Sequence, residues 1–167
     1  MKSRSSLATA LTLIGIGSWF LAIEISPQVK AFAYGANTWP LPIIGIGVYL
    51  ALIALLTWTP DLMMPAVIVS GIGSLLAWQN ATGNWGSWAY AWALIPGFIG
   101  LGMVISGLLS RDRKAAVGGG WMIVISLVLF GIFGSFLGGS ILVLQYWPIL
   151  LIVLGVVLLA QGVFRRR

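Results

Sequence analysis

Three carboxylates, Glu24, Asp61 and Asp112, are the only acids in the chain, and it has neither histidine nor cysteine. That removes thiolate chemistry, disulfides, zinc sites of the usual kind and histidine ligation of haem. No two acids lie near each other in sequence to suggest an acid/base dyad. Asp112, among arginines, reads as a solvated charge. Asp61 follows Thr59-Pro60, where Thr59 can cap a helix, Pro60 can take its first position and the carboxylate can meet the positive end of the dipole. Glu24 is the one ionisable residue inside a long apolar stretch, and such residues are functional candidates by default. It stands just before Ser26-Pro27, so its carboxylate is expected to reach headgroup water or Lys30 at the helix end. A proton relay needs successive titratable groups, and the other apolar stretches supply none. Ser70-Gly71 and Ser106-Gly107 are similar to the nucleophile of intramembrane serine proteases, yet without histidine there is no usual base. The chain therefore reads as a non-enzyme with no catalytic, metal-ligating or cofactor-binding set and no cofactor.

The elements that carry these residues are built for lipid. Of 167 residues, 60% are hydrophobic and 7% charged, and the mean hydropathy is +1.06. A soluble domain is about 25% charged. Crossing about 30 Å of hydrocarbon takes roughly 20 helical residues. Six stretches qualify, near Leu7 to Ser26, Trp39 to Thr57, Leu62 to Trp78, Trp88 to Leu109, Gly120 to Gly138, and Tyr146 to Phe164. Hydrocarbon offers no partner for unpaired backbone groups, and the short alternating segments of a barrel are missing. The expected fold is all-α: a polytopic membrane protein forming one integral membrane domain over 1–167. The N-terminus has a rival reading as a signal peptide, with Ala31-Phe32-Ala33 shaped like a cleavage site. Its apolar part is nearer helix length than signal-peptide length, so it is expected to be retained.

Positive charge orients the bundle. With a cytoplasmic N-terminus, six crossings place eight of the nine basic residues inside and only Lys30 outside. The expected location is the bacterial inner (plasma) membrane, with both termini cytoplasmic. The net charge of +6 then reads as topology and contact with anionic lipid headgroups. No basic stripe interleaved with aromatics argues for nucleic acid.

A pattern recurs along the chain. Trp39, Trp92 and Trp147 each stand eight residues before a glycine, at Gly47, Gly100 and Gly155. The other segments carry "GIGS" at 15–18, "GIGS" at 71–74 and "GIFGS" at 131–135. Three tandem two-helix hairpins are expected, over 7–57, 62–109 and 120–164, related by an axis along the membrane normal. Trp39, Trp92 and Trp147 would begin helices at the outer interface as anchors. Pro40 and Pro148 fit the first helical turn, and Pro96 should kink the fourth helix. Trp78, Trp85 and Trp88 join the same belt. Asn80-Ala81-Thr82 matches a glycosylation sequon but sits too close to the membrane.

The glycines read as packing residues, because none of the Gly-x-Gly pairs continues into a dinucleotide fingerprint. Small residues four apart let helices approach: Ala89, Ala93 and Gly97; Gly102, Ser106 and Ser110; Gly134 and Gly138. Packing within the chain is expected before a dedicated dimer face. Gly118 to Gly120 reads as a flexible lead into the fifth helix.

"YWPILLIVLGVVLLAQGVFRRR", a Trp-Pro start, an apolar helix with a central glycine and a basic end, resembles the LiaI/LiaF-like transmembrane region family of small bacterial cell-envelope proteins. The match is best over the last hairpin, with echoes at 39–57 and 88–109, and the sequence ends without that family's soluble domain. The resemblance implies a helical hairpin and, through some members, envelope-stress signalling by restraint of a sensor kinase; no catalytic or binding residue carries over. Two functions follow. One is a structural or regulatory membrane protein, or an accessory subunit of a larger complex, that meets a membrane-protein partner through helix contacts. The other is a small transporter or channel for a neutral or hydrophobic solute. Ion pathways normally leave charged residues along their length, which favours the first.

Overall fold

The computed structural model describes residues 2–138 together with Gly155. Among the described residues there is no strand; helices and tight turns account for the chain. Helix α1 is Lys2–Ile25, α2 Pro27–Tyr34, α3 Pro40–Leu56, α4 Met63–Thr82, α5 Trp88–Ala91, α6 Ile95–Ser110 and α7 Arg113–Leu137. Four helical runs are long and apolar enough to cross a membrane: Ser6–Ile25, Pro60–Thr82, Trp85–Ser110 and Arg113–Leu137. Pro40–Leu56 is apolar and shorter. The expected sixth stretch, Tyr146 to Phe164, lies outside the described residues.

Local chemistry explains where these runs start, stop and tighten. A loop was expected after Ser26, but α2 forms there. The Ser26 hydroxyl accepts from the Val29 N–H at 3.4 Å, and Pro27 fills the first turn, the usual start signal of a helix. The fourth run deviates where Pro96 predicts. Pro96 has no N–H for the Trp92 carbonyl, which instead accepts from the Ile95 N–H as the chain tightens into a 3-10 turn over Trp92–Leu94. This run also begins earlier than expected, in a 3-10 turn at Trp85–Ser87.

Helix α7 corrects two expectations. Asp112 is a cap, not a free charge: its carboxylate accepts from the Lys114 N–H at 2.9 Å and the Ala115 N–H at 3.1 Å. The helix therefore starts at Arg113, and Gly118 to Gly120 lie inside it rather than forming a flexible lead. Thr59 also departs from its expected role, since its side chain makes no cap bond to the 3-10 turn at Pro60–Leu62. The Thr57 hydroxyl instead donates to the Ile53 carbonyl at 2.7 Å.

The helices form a row in which α1 packs on α3, α3 on α4, α4 on α6 and α6 on α7. The α3–α4 and α6–α7 contacts are the most extensive, and the two pairs share one turn. After α3, Trp58 is left-handed (φ 50°), and the Thr59 N–H reaches back to the Ala54 carbonyl at 2.9 Å. After α6, Arg111 is left-handed (φ 59°), and the Asp112 N–H reaches the Gly107 carbonyl at 2.8 Å. Both are Schellman turns. Every matched position (58 and 111, 54 and 107, 59 and 112) is displaced by 53 residues. The pairing crosses the boundaries of the expected hairpins: α3 falls in 7–57 and α4 in 62–109.

Burial is inverted relative to a water-soluble core. The buried side chains are mostly small, among them Ala54, Ala66, Ala91, Ala93, Ser126 and Ser135. Large apolar ones, such as Leu13, Phe20, Leu56, Leu108 and Phe136, are exposed. Packing by small residues is how helices associate where the surroundings are as apolar as leucine.

Candidate functional site: glycine seams beneath an aromatic rim

In the α3–α4 seam, a Cβ on Gly47 would stand 2.5 Å from the Ser70 nitrogen and 2.8 Å from the Ala66 oxygen. In the α6–α7 seam, a Cβ on Gly100 would stand 2.5 Å from the Gly119 oxygen and 2.9 Å from the Ile123 nitrogen. Positions 47, 66 and 70 become 100, 119 and 123 under the same 53-residue displacement. The glycine of Trp-x7-Gly is thus the point where one backbone rests on the next, and no side chain fits there. The displacement also maps the contact of Gly73 with Ile44 onto that of Ser126 with Gly97. At the latter, the buried Ser126 hydroxyl donates to the Ala93 carbonyl at 2.6 Å, a hydrogen bond between helices.

The small residues singled out from spacing divide among several contacts. Gly97 faces Ser126 of α7, whereas a Cβ on Gly102 would meet the Met64 Cα of α4 at 2.8 Å. Ser106 is half-buried, and its carbonyl accepts from the Ser110 hydroxyl at 2.7 Å. One turn on, Gly107 is the tighter position, with a Cβ 2.6 Å from the Ala116 nitrogen. Gly134 and Gly138 both look toward the Tyr90 ring, at 3.8 and 3.3 Å from an added Cβ. Gly73, Gly107, Gly119 and Ser126 were missed by the small-residue spacing. The regular Trp-x7-Gly distance was the signal for Gly47 and Gly100. The "GIFGS" match was misleading: position 73 of "GIGS" corresponds in packing to Ser126, about two turns before Gly134.

The aromatic residues form contacts above and beside these seams. Trp39 caps α3 and stacks on Trp85, centroids 6.2 Å apart and planes at 11°. Trp92 does not begin its helical run, which starts at Trp85, roughly 10 Å earlier along the axis. Its indole N–H donates to the Ala89 carbonyl at 3.0 Å, and its ring meets Phe133 at 5.2 Å. Tyr90 and Phe130 meet at 5.6 Å. Trp147 lies outside the described residues.

Polar groups are few and mostly turned to the backbone. Glu24 and Lys30 are both exposed, and they form no ion pair. Asp61 is exposed in the first turn after Thr59. Asn80, of the sequon-like triplet, donates to the Ala36 carbonyl at 3.0 Å and ties α4 to the turn before α3. Sequence reasoning did not reach Gln79, which is fully buried. Its amide donates to the Ser87 hydroxyl at 3.0 Å, which donates to the Asn84 carbonyl at 2.6 Å; the Gln79 Oε1 is buried without a partner. No group of three potential metal ligands occurs among the described residues.

The arrangement holds helices together and offers no reacting group set against a base. Comparison with protein-family models, with curated proteins and with solved structures finds no match to this chain.

Proposed function

We propose that this is a non-catalytic integral membrane protein of the bacterial inner membrane, structural or regulatory or an accessory subunit, acting through helix contacts in the bilayer. The observation that carries the reading is the division of the side chains: small residues sit between helices, while the large apolar ones cover the outside. An outer surface of that kind suits lipid and the helices of a membrane partner. Eight basic residues would meet anionic headgroups at the cytoplasmic face, with both termini on that side. The resemblance of 146–167 to the LiaI/LiaF-like region supports a place in envelope-stress signalling. Purification from native membranes in mild detergent tests the function. A stoichiometric membrane-protein partner, retained through gel filtration and released by leucine-to-tryptophan changes on one outer helix face, is the expected result. Recovery of the chain alone, together with saturable solute flux in reconstituted vesicles, would replace this reading by the carrier one.

A further inference from the structure

Between α1 and α3 the row opens into a groove of about 550 Å³. Its walls include Trp19 and Phe20 of α1, Phe32 of α2, and Pro42, Gly45 and Tyr49 of α3. The two helices are pinned at one level, where the Tyr49 hydroxyl donates to the Leu11 carbonyl at 2.7 Å. The other wall hydroxyl, on Thr12, donates to the Ala8 carbonyl at 2.8 Å. Both hydroxyl protons are therefore already engaged, and helical backbone supplies no free donor. The indole N–H of Trp19 is the one uncommitted donor among the wall residues.

Size then decides what fits. The lining runs from Thr12 to Phe20 on α1 and from Leu41 to Leu50 on α3, about 13 Å at 1.5 Å per residue. Dividing the volume by this length gives a cross-section of about 40 Å². A helix with its side chains, 10–12 Å across, needs about 80 Å² or more. Another helix, from this chain or a second copy, is too thick. A polar ligand would find almost nothing to bond and would lose its hydration. A slender, wholly apolar chain meets both conditions.

We propose that the α1–α3 groove binds one acyl chain of a membrane phospholipid, with the Trp19 indole near the polar end of that chain. The inference rests on the reading of this protein as a resident of the bilayer and adds a specific lipid site to it. Gly45 keeps the groove open: a Cβ added there has nothing within 4 Å, so a larger side chain enters the groove without striking the protein.

The test uses the full chain in detergent micelles and a phospholipid carrying a diazirine on one acyl chain, with adducts mapped by mass spectrometry. Labelling that saturates at one lipid per chain and falls on residues 12–20 and 41–50 is the expected result. Gly45→Leu should abolish it. Gly120→Leu, at another position where an added Cβ meets nothing within 4 Å, should leave it intact. Labelling that rises without saturation, or spreads over all outward faces, overturns the proposal even if Gly45→Leu does not fold. Equal labelling of wild type and a folded Gly45→Leu does so too. Alkaline extraction of native membranes separates the two levels: release of the chain would refute the membrane reading, whereas retention with diffuse labelling refutes the groove alone.

Discussion

Three consecutive glycines in α7 should respond to alanine with different signs. A Cβ on Gly119 would strike the Gly100 carbonyl and stand 2.8 Å from both the Met103 Cβ and the Val104 nitrogen. Ordinary contact for a Cβ begins near 3.4 Å, so α6 and α7 would have to separate by a sizeable fraction of an ångström. Overpacking of this kind costs about 1–3 kcal/mol, and the opposing atoms are backbone, which cannot swing aside. One residue on, a Cβ at Gly120 has nothing within 4 Å. Alanine there keeps only the gain in helix propensity, about 0.5–1 kcal/mol. Gly118→Ala, with the Met103 Cε at 3.6 Å, should behave like Gly120→Ala. Reversible unfolding in mild detergent, followed by tryptophan fluorescence, should therefore rank Gly120→Ala at or above wild type. Gly119→Ala should fall below Gly120→Ala by about 1.5–4 kcal/mol, a factor of at least ten in the folding equilibrium. Equal stability of the two variants would refute the α6–α7 seam.

Further outcomes follow from the polar groups. Ser126→Ala removes the hydrogen bond to the Ala93 carbonyl and should destabilise by about 0.6 kcal/mol, and by no more than about 1.7, in the same unfolding assay. Gln79→Leu should stabilise, because it removes a buried acceptor without a partner, whose burial costs about 1–3 kcal/mol, against a bond to Ser87 worth about 1 kcal/mol net; clear destabilisation would mean that the Gln79 Oε1 has a partner in the membrane. Glu24→Gln should leave assembly and stability nearly unchanged, since the carboxylate is exposed at the end of α1 and unpaired with Lys30; loss of a proton-dependent flux in reconstituted vesicles on that change would make it a relay.

Hydropathy was enough to find the described spans, because length and composition decide whether a helix suits a bilayer. Their ends were harder. Helix α2 has only eight residues, too few for periodicity to register, although Ser26-Pro27 marked its start. Helix α7 begins seven residues before the glycine taken as its first residue, because Asp112 caps it and Gly118 to Gly120 are held against α6. Glycine was read there as freedom, and the contact that makes it necessary is visible only in three dimensions. The same holds for the repeat. Trp-x7-Gly was informative because its glycine marks the closest backbone contact. "GIGS" and "GIFGS" share composition but occupy different levels of the packing. Gly97 and Gly102 were both legible as small, yet five residues on a helix turn them toward different neighbours, α7 and α4. Nothing in the sequence distinguishes Gln79 from a polar residue in a loop, since its burial arises from the turn at 83–87 folding over it.

The arrangement of the row in the bilayer is best tested by paired topology reporters, one active only in the cytoplasm and one only outside, fused after Gly83 and after Lys114. Gly83 ends α4 and Lys114 lies in the first turn of α7, so a single helical run, Trp85–Ser110, spans the interval between them. The positive-inside asymmetry predicts an external Gly83 and a cytoplasmic Lys114. An external Lys114 would reverse the orientation, and the same location for both fusions would show that Trp85–Ser110 does not cross the membrane at all.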